Sequence, residues 1–179
     1  MSKPRKKAIG LFGGSFDPPH IGHSKISKIS LNKLKLKKIY WIVAKKNPFK
    51  NKAFFSIRQR VQKSKKILKG LRNIEVLYLD NKIKSSRMIK VINYFIKVRK
   101  QKDLYLILGS DNLPEFHKWT SWKRIVKLTK LVVFSRKGYD KKSKESIVVK
   151  YLNNKNIIYI NNKYFNISSS SIKKGISKK

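Results

Sequence analysis

The chain has 179 residues and carries 46 lysines and arginines against 8 acids, a formal net charge of +38. Its lack of cysteine excludes a disulfide scaffold, a thiolate metal site and a cysteine nucleophile. No apolar run reaches the length of a membrane span. A hydrophobic share of 40% with 11% aromatics supports one folded domain over residues 1–179 rather than a disordered tail. The basic opening "MSKPRKKAIGLFGG" has an apolar stretch that stops at Phe12, too short for a secretory signal core. Freedom from cysteine suits a reducing cytoplasm. The lysines spread along the whole chain instead of gathering in one arm, which reads as compositional drift. A weak, salt-sensitive attraction to RNA follows from such a charge in any case.

Apolar runs alternate with helical patterns. Lys6–Phe12 predicts a buried strand, followed by a Gly-Gly turn and an amphipathic helix over Ile21–Leu34. Lys38–Ala44 predicts a second strand, and the polar loop "KKNPFKNKAF" leads to a helix near Ser56–Lys69. Ile74–Leu79 reads as a third strand, and Ser86–Lys100 as a helix with Met88, Ile89, Ile92, Phe95 and Ile96 on one side. Asp103–Asp111 predicts a fourth strand, Trp119–Leu128 a helix and Lys130–Arg136 a fifth strand. A helix around Ser143–Asn153, a sixth strand at Asn156–Ile160 and a short helix in "ISSSSIKKGI" complete the chain. Near-continuous apolar strands alternating with helices imply a parallel sheet covered on both faces, a doubly wound α/β fold. Such sheets bind ligands beyond the carboxyl ends of their strands.

The segment "GGSFDPPHIGH" (Gly13–His23) stands at such an end. Gly13 and Gly14 lack a Cβ and let a phosphate approach the backbone there, with Ser15 and Phe16 following. The pattern is neither a dinucleotide G-x-G-x-x-G nor a Walker loop. Pro18 and Pro19 hold the chain extended before the helix. His20 and His23 lie three apart at an electropositive helix start, where an anion is favoured. No His, Cys or acid cluster nearby supplies a third metal ligand. Paired donors to a phosphate chain therefore fit better than a metal site.

"GGSFDPPHIGH" resembles the (H/T)-x-G-H motif of the nucleotidylyltransferase superfamily, and its flanks resemble the bacterial nicotinate-nucleotide adenylyltransferase family. "GSDNLPEFHKWTSWKRI" (Gly109–Ile125) is similar to that family's G-x-D and tryptophan-rich helix. "SRKGY" (Ser135–Tyr139) is similar to its R-P-G-Y turn, and "ISSSSIKK" (Ile167–Lys174) to its I-S-S-T-x-I-R motif. The similarity spans essentially the whole chain and implies a single Rossmann-like nucleotidylyltransferase domain. It implies that ATP, with Mg²⁺, and nicotinate mononucleotide give nicotinate adenine dinucleotide and pyrophosphate. The mononucleotide phosphate attacks the ATP α-phosphorus directly, without a covalent enzyme intermediate.

By the same resemblance, His20, His23 and Lys173 are the catalytic residues. The ATP contacts are Gly13, Gly14, Ser15, Phe16, His20, His23, Gly109, Asp111, Arg136, Ser168, Ser170 and Lys173. Asp111 at a strand end suits ribose hydroxyls, with a helix N-cap as its structural alternative. Trp119 and Trp122 are the candidates to stack on the nicotinate ring, although two tryptophans at this spacing are also common in cores. Asn47 and Lys50 in "NPFK" resemble the family's N-P-P-H-K loop on the mononucleotide side. Arg87 and Met88 stand where many members have Tyr-Thr, and Arg87 suits the carboxylate of nicotinate. Lys173 replaces an arginine, keeping charge but losing the bidentate fork.

Two other readings are weighed against this one. A sister enzyme acting on nicotinamide mononucleotide or pantetheine phosphate shares the histidine motif, but pantetheine phosphate gives no reason for the Trp119 segment. A basic nucleic-acid-binding module predicts steeply salt-dependent binding and no turnover. No residue marks a particular oligomeric state.

Overall fold

The computed structural model describes residues 8–45, 53–161 and 169–176, apart from the side chains of Ser170, Ser171, Lys174 and Ile176. Its backbone divides into two compact units, Met1–Ser86 with Phe165–Lys179, and Arg87–Tyr164.

In the first unit, β1 (Ile9–Gly14), α1 (Ile21–Leu34), β2 (Lys38–Val43), α2 (Ile57–Ile67), β3 (Ile74–Leu77) and α3 (Asp80–Ile83) follow one another. β2 pairs in parallel with β1, from Ile9↔Lys38 to Gly14↔Val43, and with β3, from Ile39↔Ile74 to Ile42↔Leu77. Parallel neighbours need a crossover between them, which α1 and α2 supply. Leu11, Ile39 and Trp41 are fully buried, as strands covered on both faces require.

α1 occupies the span that the sequence predicts, but its buried side is unusual. Gly22, Ser24, Ser27 and Ser30 face inward, while Ile21 is exposed. Each serine hydroxyl donates to a carbonyl one turn back, on Ile21, His23 and Ile26 respectively. Satisfied in this way, small hydroxyl residues bury without an unmet polar group. The space they leave is filled from β2: the Trp41 indole Nε1 donates to Ser27 Oγ at 2.8 Å. α2 opens on a reciprocal cap in which Ser56 Oγ accepts from Gln59 N and Gln59 Oε1 accepts from Ser56 N.

The second unit contains α4 (Met88–Lys97), β4 (Leu104–Gly109), a 3-10 turn at Ser110–Asn112, α5 (Leu113–Phe116), α6 (Trp122–Leu128), β5 (Lys130–Phe134), α7 (Asp140–Lys144), α8 (Ile147–Leu152) and β6 (Ile157–Ile160). β5 pairs in parallel with β4 and with β6. Its core includes Ile92, Phe95, Leu106, Ile107 and Val132. α9 (Ser169–Ile176) belongs again to the first unit.

Several boundaries differ from expectation. Gly13 and Gly14 form no turn: they extend β1, held by pairing with Ile42 and Val43. The fourth strand stops at Gly109, because Asp111 and Asn112 enter the 3-10 turn. The helix expected from Trp119 starts at Trp122, since Ser121 adopts a left-handed φ of 57°. The helix expected at Ser143–Asn153 is two helices. Ser146 leaves helical geometry, and its hydroxyl donates back to Ser143 O at 2.6 Å, a local bond that competes with helix continuation. α3 and α5, four residues each, are too short to leave a periodic signal.

Candidate active site

The first unit gathers one group of candidates at the carboxyl end of β1. Phe16 has a left-handed φ of 45°, a conformation uncommon for a bulky residue. Its ring stacks on Trp41 at 4.7 Å and 7°. A Cβ on Gly14 would meet the Phe16 ring at 3.3 Å, so this glycine makes room for that ring. The Asp17–Pro18 peptide is cis, and His20 forms the N-cap of α1.

The His20 and His23 rings lie 3.8 Å apart between centroids. His20 N–H donates to His23 Nδ1 at 3.1 Å. That acceptor role places the proton of the neutral His23 ring on Nε2, as a donor. The ring sits among Phe12, Phe16 and Trp41, at 5.8, 5.0 and 5.8 Å. No acid lies in the first turn of α1 itself, so that turn carries no side-chain charge of its own against the positive end of its dipole.

Three buried charged residues outside the sequence-based set build this corner. Asp17 is 4% exposed; its Oδ1 and Oδ2 accept from Phe55 N and Phe54 N, each at 2.8 Å. Lys173 on α9 reaches Asp17 Oδ2 at 2.6 Å, and Ser169 Oγ donates to Pro18 O at 2.8 Å. Burial pushes the Asp17 pKa up, but the Lys173 ammonium and the two amide bonds outweigh it and hold the group below its ordinary value. Arg60 on α2 is 2% exposed. Its guanidinium donates to four carbonyls: Ser15 and Ala44 from Nη1, Lys45 from Nη2 and Phe55 from Nε, at 2.8–3.1 Å. Asp80 Oδ2 accepts from Lys45 N at 2.8 Å. Burial pushes the Asp80 pKa up, and the amide of Lys45 and the charges of Lys45 and Arg60 only partly oppose this.

The second unit holds the other candidates. Arg136 Nη1 pairs with Asp111 Oδ2 at 3.1 Å. Asp140 anchors the turn: its Oδ1 accepts from Ser110 Oγ and from Arg136 N. A Cβ on Gly109 would fall 2.4 Å from Asp111 Oδ1 and 3.2 Å from Arg136 Nε. The two tryptophans diverge. Trp119 lies in the turn before α6 and stacks on Phe116 at 4.7 Å. Trp122 meets Tyr151 of α8 edge-on at 5.0 Å, with Lys123 near both rings. Arg87 is exposed at the N-cap of α4, and Met88 is the half-buried first residue of that helix. Asn47, Lys50 and Ser168 lie outside the described residues, as does the side chain of Ser170. Among the described residues no three His, Cys, Asp or Glu side chains come together as a metal site. No described helix is long and apolar enough to cross a membrane.

A cytidylyltransferase-like family model matches residues 11–175. A Pelagibacter ubique protein named "Probable nicotinate-nucleotide adenylyltransferase" is 42% identical over 170 residues, covering 95% of this chain and 94% of that protein. The chain belongs to this nicotinate-nucleotide adenylyltransferase family. A Helicobacter pylori member of the same name is 37% identical over 137 residues, covering 75% of this chain and 78% of that protein. The fold of the family member described here is similar to that of the Plasmodium falciparum nicotinic acid mononucleotide adenylyltransferase complexed with NaAD. That match has a TM-score of 0.75 and 19% identity, and covers 94% of this chain and 83% of the other. The expected parallel α/β architecture agrees with that fold.

Proposed function

We propose that the chain transfers the adenylyl group of ATP to nicotinate mononucleotide, giving nicotinate adenine dinucleotide and pyrophosphate. The observation that carries this reading is the His20–His23 corner, where the hydrogen bond to His23 Nδ1 makes Nε2 the donor nitrogen of the ring, beside a helix whose first turn carries no acid. The named relative that matches 95% of the chain supports the same reading.

In the reaction, a phosphate oxygen of the mononucleotide forms a bond to the α-phosphorus as the bond to the β-phosphate oxygen breaks. Pyrophosphate leaves with the electron pair. Such a transfer needs alignment and charge stabilisation more than covalent help. His23 stabilises the α-phosphate oxygens as they gain charge, and His20, Lys173 and the first turn of α1 hold the rest of the polyphosphate. Mg²⁺ enters with ATP as part of the substrate. Asp111 and Arg136 take the adenosine side. Trp119, with Phe116 behind one face, offers a plane to the nicotinate ring. Arg87 favours the carboxylate of nicotinate over the amide. A cytoplasmic setting fits a cysteine-free chain, and its positive charge gives a weak, salt-dependent association with RNA.

The test is pyrophosphate release from Mg²⁺–ATP with nicotinate mononucleotide, its amide or pantetheine phosphate. Turnover with the acid form well above the other two is expected. Preference for the amide would overturn the substrate, and release with none would overturn the reading. Two variants probe the assigned sides. Gly109→Ala is expected to raise KM for ATP about tenfold, some 1.4 kcal/mol, with a melting temperature close to wild type. Gly109 has an ordinary φ of −83°, and the crowded atoms belong to side chains that can move away. Trp119→Ala is expected to raise KM for the mononucleotide about three- to tenfold, the worth of one aromatic stack, leaving KM for ATP in place.

A further inference from the structure

We propose that Asp17 is a positioning residue for Lys173, fixing the ammonium of α9 at the β1 corner so that it is presented to the ATP polyphosphate. This deepens the adenylyltransferase reading and rests on it.

Ser169 and Lys173 are four residues apart, hence on one face of α9. They bond to consecutive residues of the corner, Ser169 Oγ to Pro18 O at 2.8 Å and Lys173 Nζ to Asp17 Oδ2 at 2.6 Å. The face of α9 that carries the cation is thus pinned at two points, two to six residues from the two histidines in sequence. Lys173 lacks the rigid fork of an arginine, and a free lysine side chain loses much rotamer freedom when it is ordered. The carboxylate removes that freedom in advance. Asp17 is suited to this task because it is itself immobile: it is 4% exposed, and backbone amides of Phe54 and Phe55 hold both its oxygens. An ammonium has three N–H groups. The Asp17 bond uses one, and the Lys173 side chain remains 23% exposed, so a second anion has access to it. The ring of Phe54, 5.8 Å from Nζ, limits the cation on another side.

The experiment measures steady-state kinetics of dinucleotide formation for Asp17→Asn, Lys173→Met, Lys173→Arg and the Asp17→Asn/Lys173→Met double variant, with melting temperatures for each. Asp17→Asn is expected to lower kcat/KM for ATP about ten- to a hundredfold, the range of a charged hydrogen bond. KM for the mononucleotide should stay within about twofold of wild type. Lys173→Met should lose as much, Lys173→Arg should retain most activity, and the double variant should be little worse than either single one, since the two act as a unit. Fully additive losses, or an Asp17→Asn enzyme that melts earlier but keeps wild-type kcat/KM for ATP, would overturn the proposal.

A second measurement needs no variant to fold. Competitive acetylation of the wild-type enzyme, read by peptide mass spectrometry, should label Lys173 several-fold more slowly than the exposed Lys66. Equal rates would overturn the pairing. Wild-type enzyme that makes no dinucleotide, yet still labels slowly at Lys173, would show that the reading has failed and not the ion pair.

Discussion

His23→Ala is expected to lower kcat by about 10²–10³, the cost of removing one preorganised donor from a transition state that gathers negative charge. KM for either substrate should change far less, because the donor matters most as the α-phosphate oxygens gain charge. The hydrogen bond from His20 N to His23 Nδ1 makes the prediction sharper. It assigns the donor role to Nε2, so His23→Gln, whose amide nitrogen reaches about as far, should keep more activity than His23→Asn. A His23→Ala enzyme with wild-type kcat would remove His23 from the chemistry. Equal losses in Gln and Asn would leave its role intact but discard the tautomer argument.

Arg60→Met is expected to lower stability by about 3–5 kcal/mol, the usual cost of deleting one partner of a buried charged network. Methionine replaces the apolar stem but none of the donors. The carbonyls of Ser15, Ala44, Lys45 and Phe55 would lose the guanidinium that satisfies them, and buried carbonyls without partners are costly. For a chain of this size that is a fall in melting temperature on the order of 10 °C. Arg60→Lys should recover little, since one ammonium cannot serve four acceptors spread around a planar fork. A thermal melt within about 2 °C of wild type, under one kcal/mol on this scale, would show that water or a local shift replaces the guanidinium.

Much of the fold was legible because its signals are local. β2 and β5 are short apolar runs, α1 begins just after Pro18 and Pro19, and Ser56 with Gln59 spells a helix start in four residues. The breaks were less legible. Ser146 divides α7 from α8 through one hydroxyl bond to a buried carbonyl, a choice that tertiary packing makes and periodicity does not record. The histidine corner was readable from its motif, but its supports were not. Arg60 is one of 46 basic residues, and nothing in "IRQRVQKSKKI" separates it from Arg58 or Lys65 until α2 is placed beside the ends of β1 and β2. Asp17 sits inside the motif, yet its role depends on Phe54, Phe55 and Lys173, which lie far along the chain. Gly14 was legible as a residue that must be small, though the neighbour demanding it is an aromatic ring of the chain itself.

The bonds from α9 to the β1 corner join residues 151 and 156 positions apart. Asp17 and Pro18 therefore emerge from the ribosome long before the partners that complete their surroundings. The first unit can form its β1–β2–β3 pairing from nearby chain, a low-cost closure. Its cationic clamp must wait until the second unit has been made. The nascent chain thus passes through a stage in which the histidines are in place and the ammonium is not. Activity gained during synthesis should appear late and in one step, with the arrival of Ser169 and Lys173.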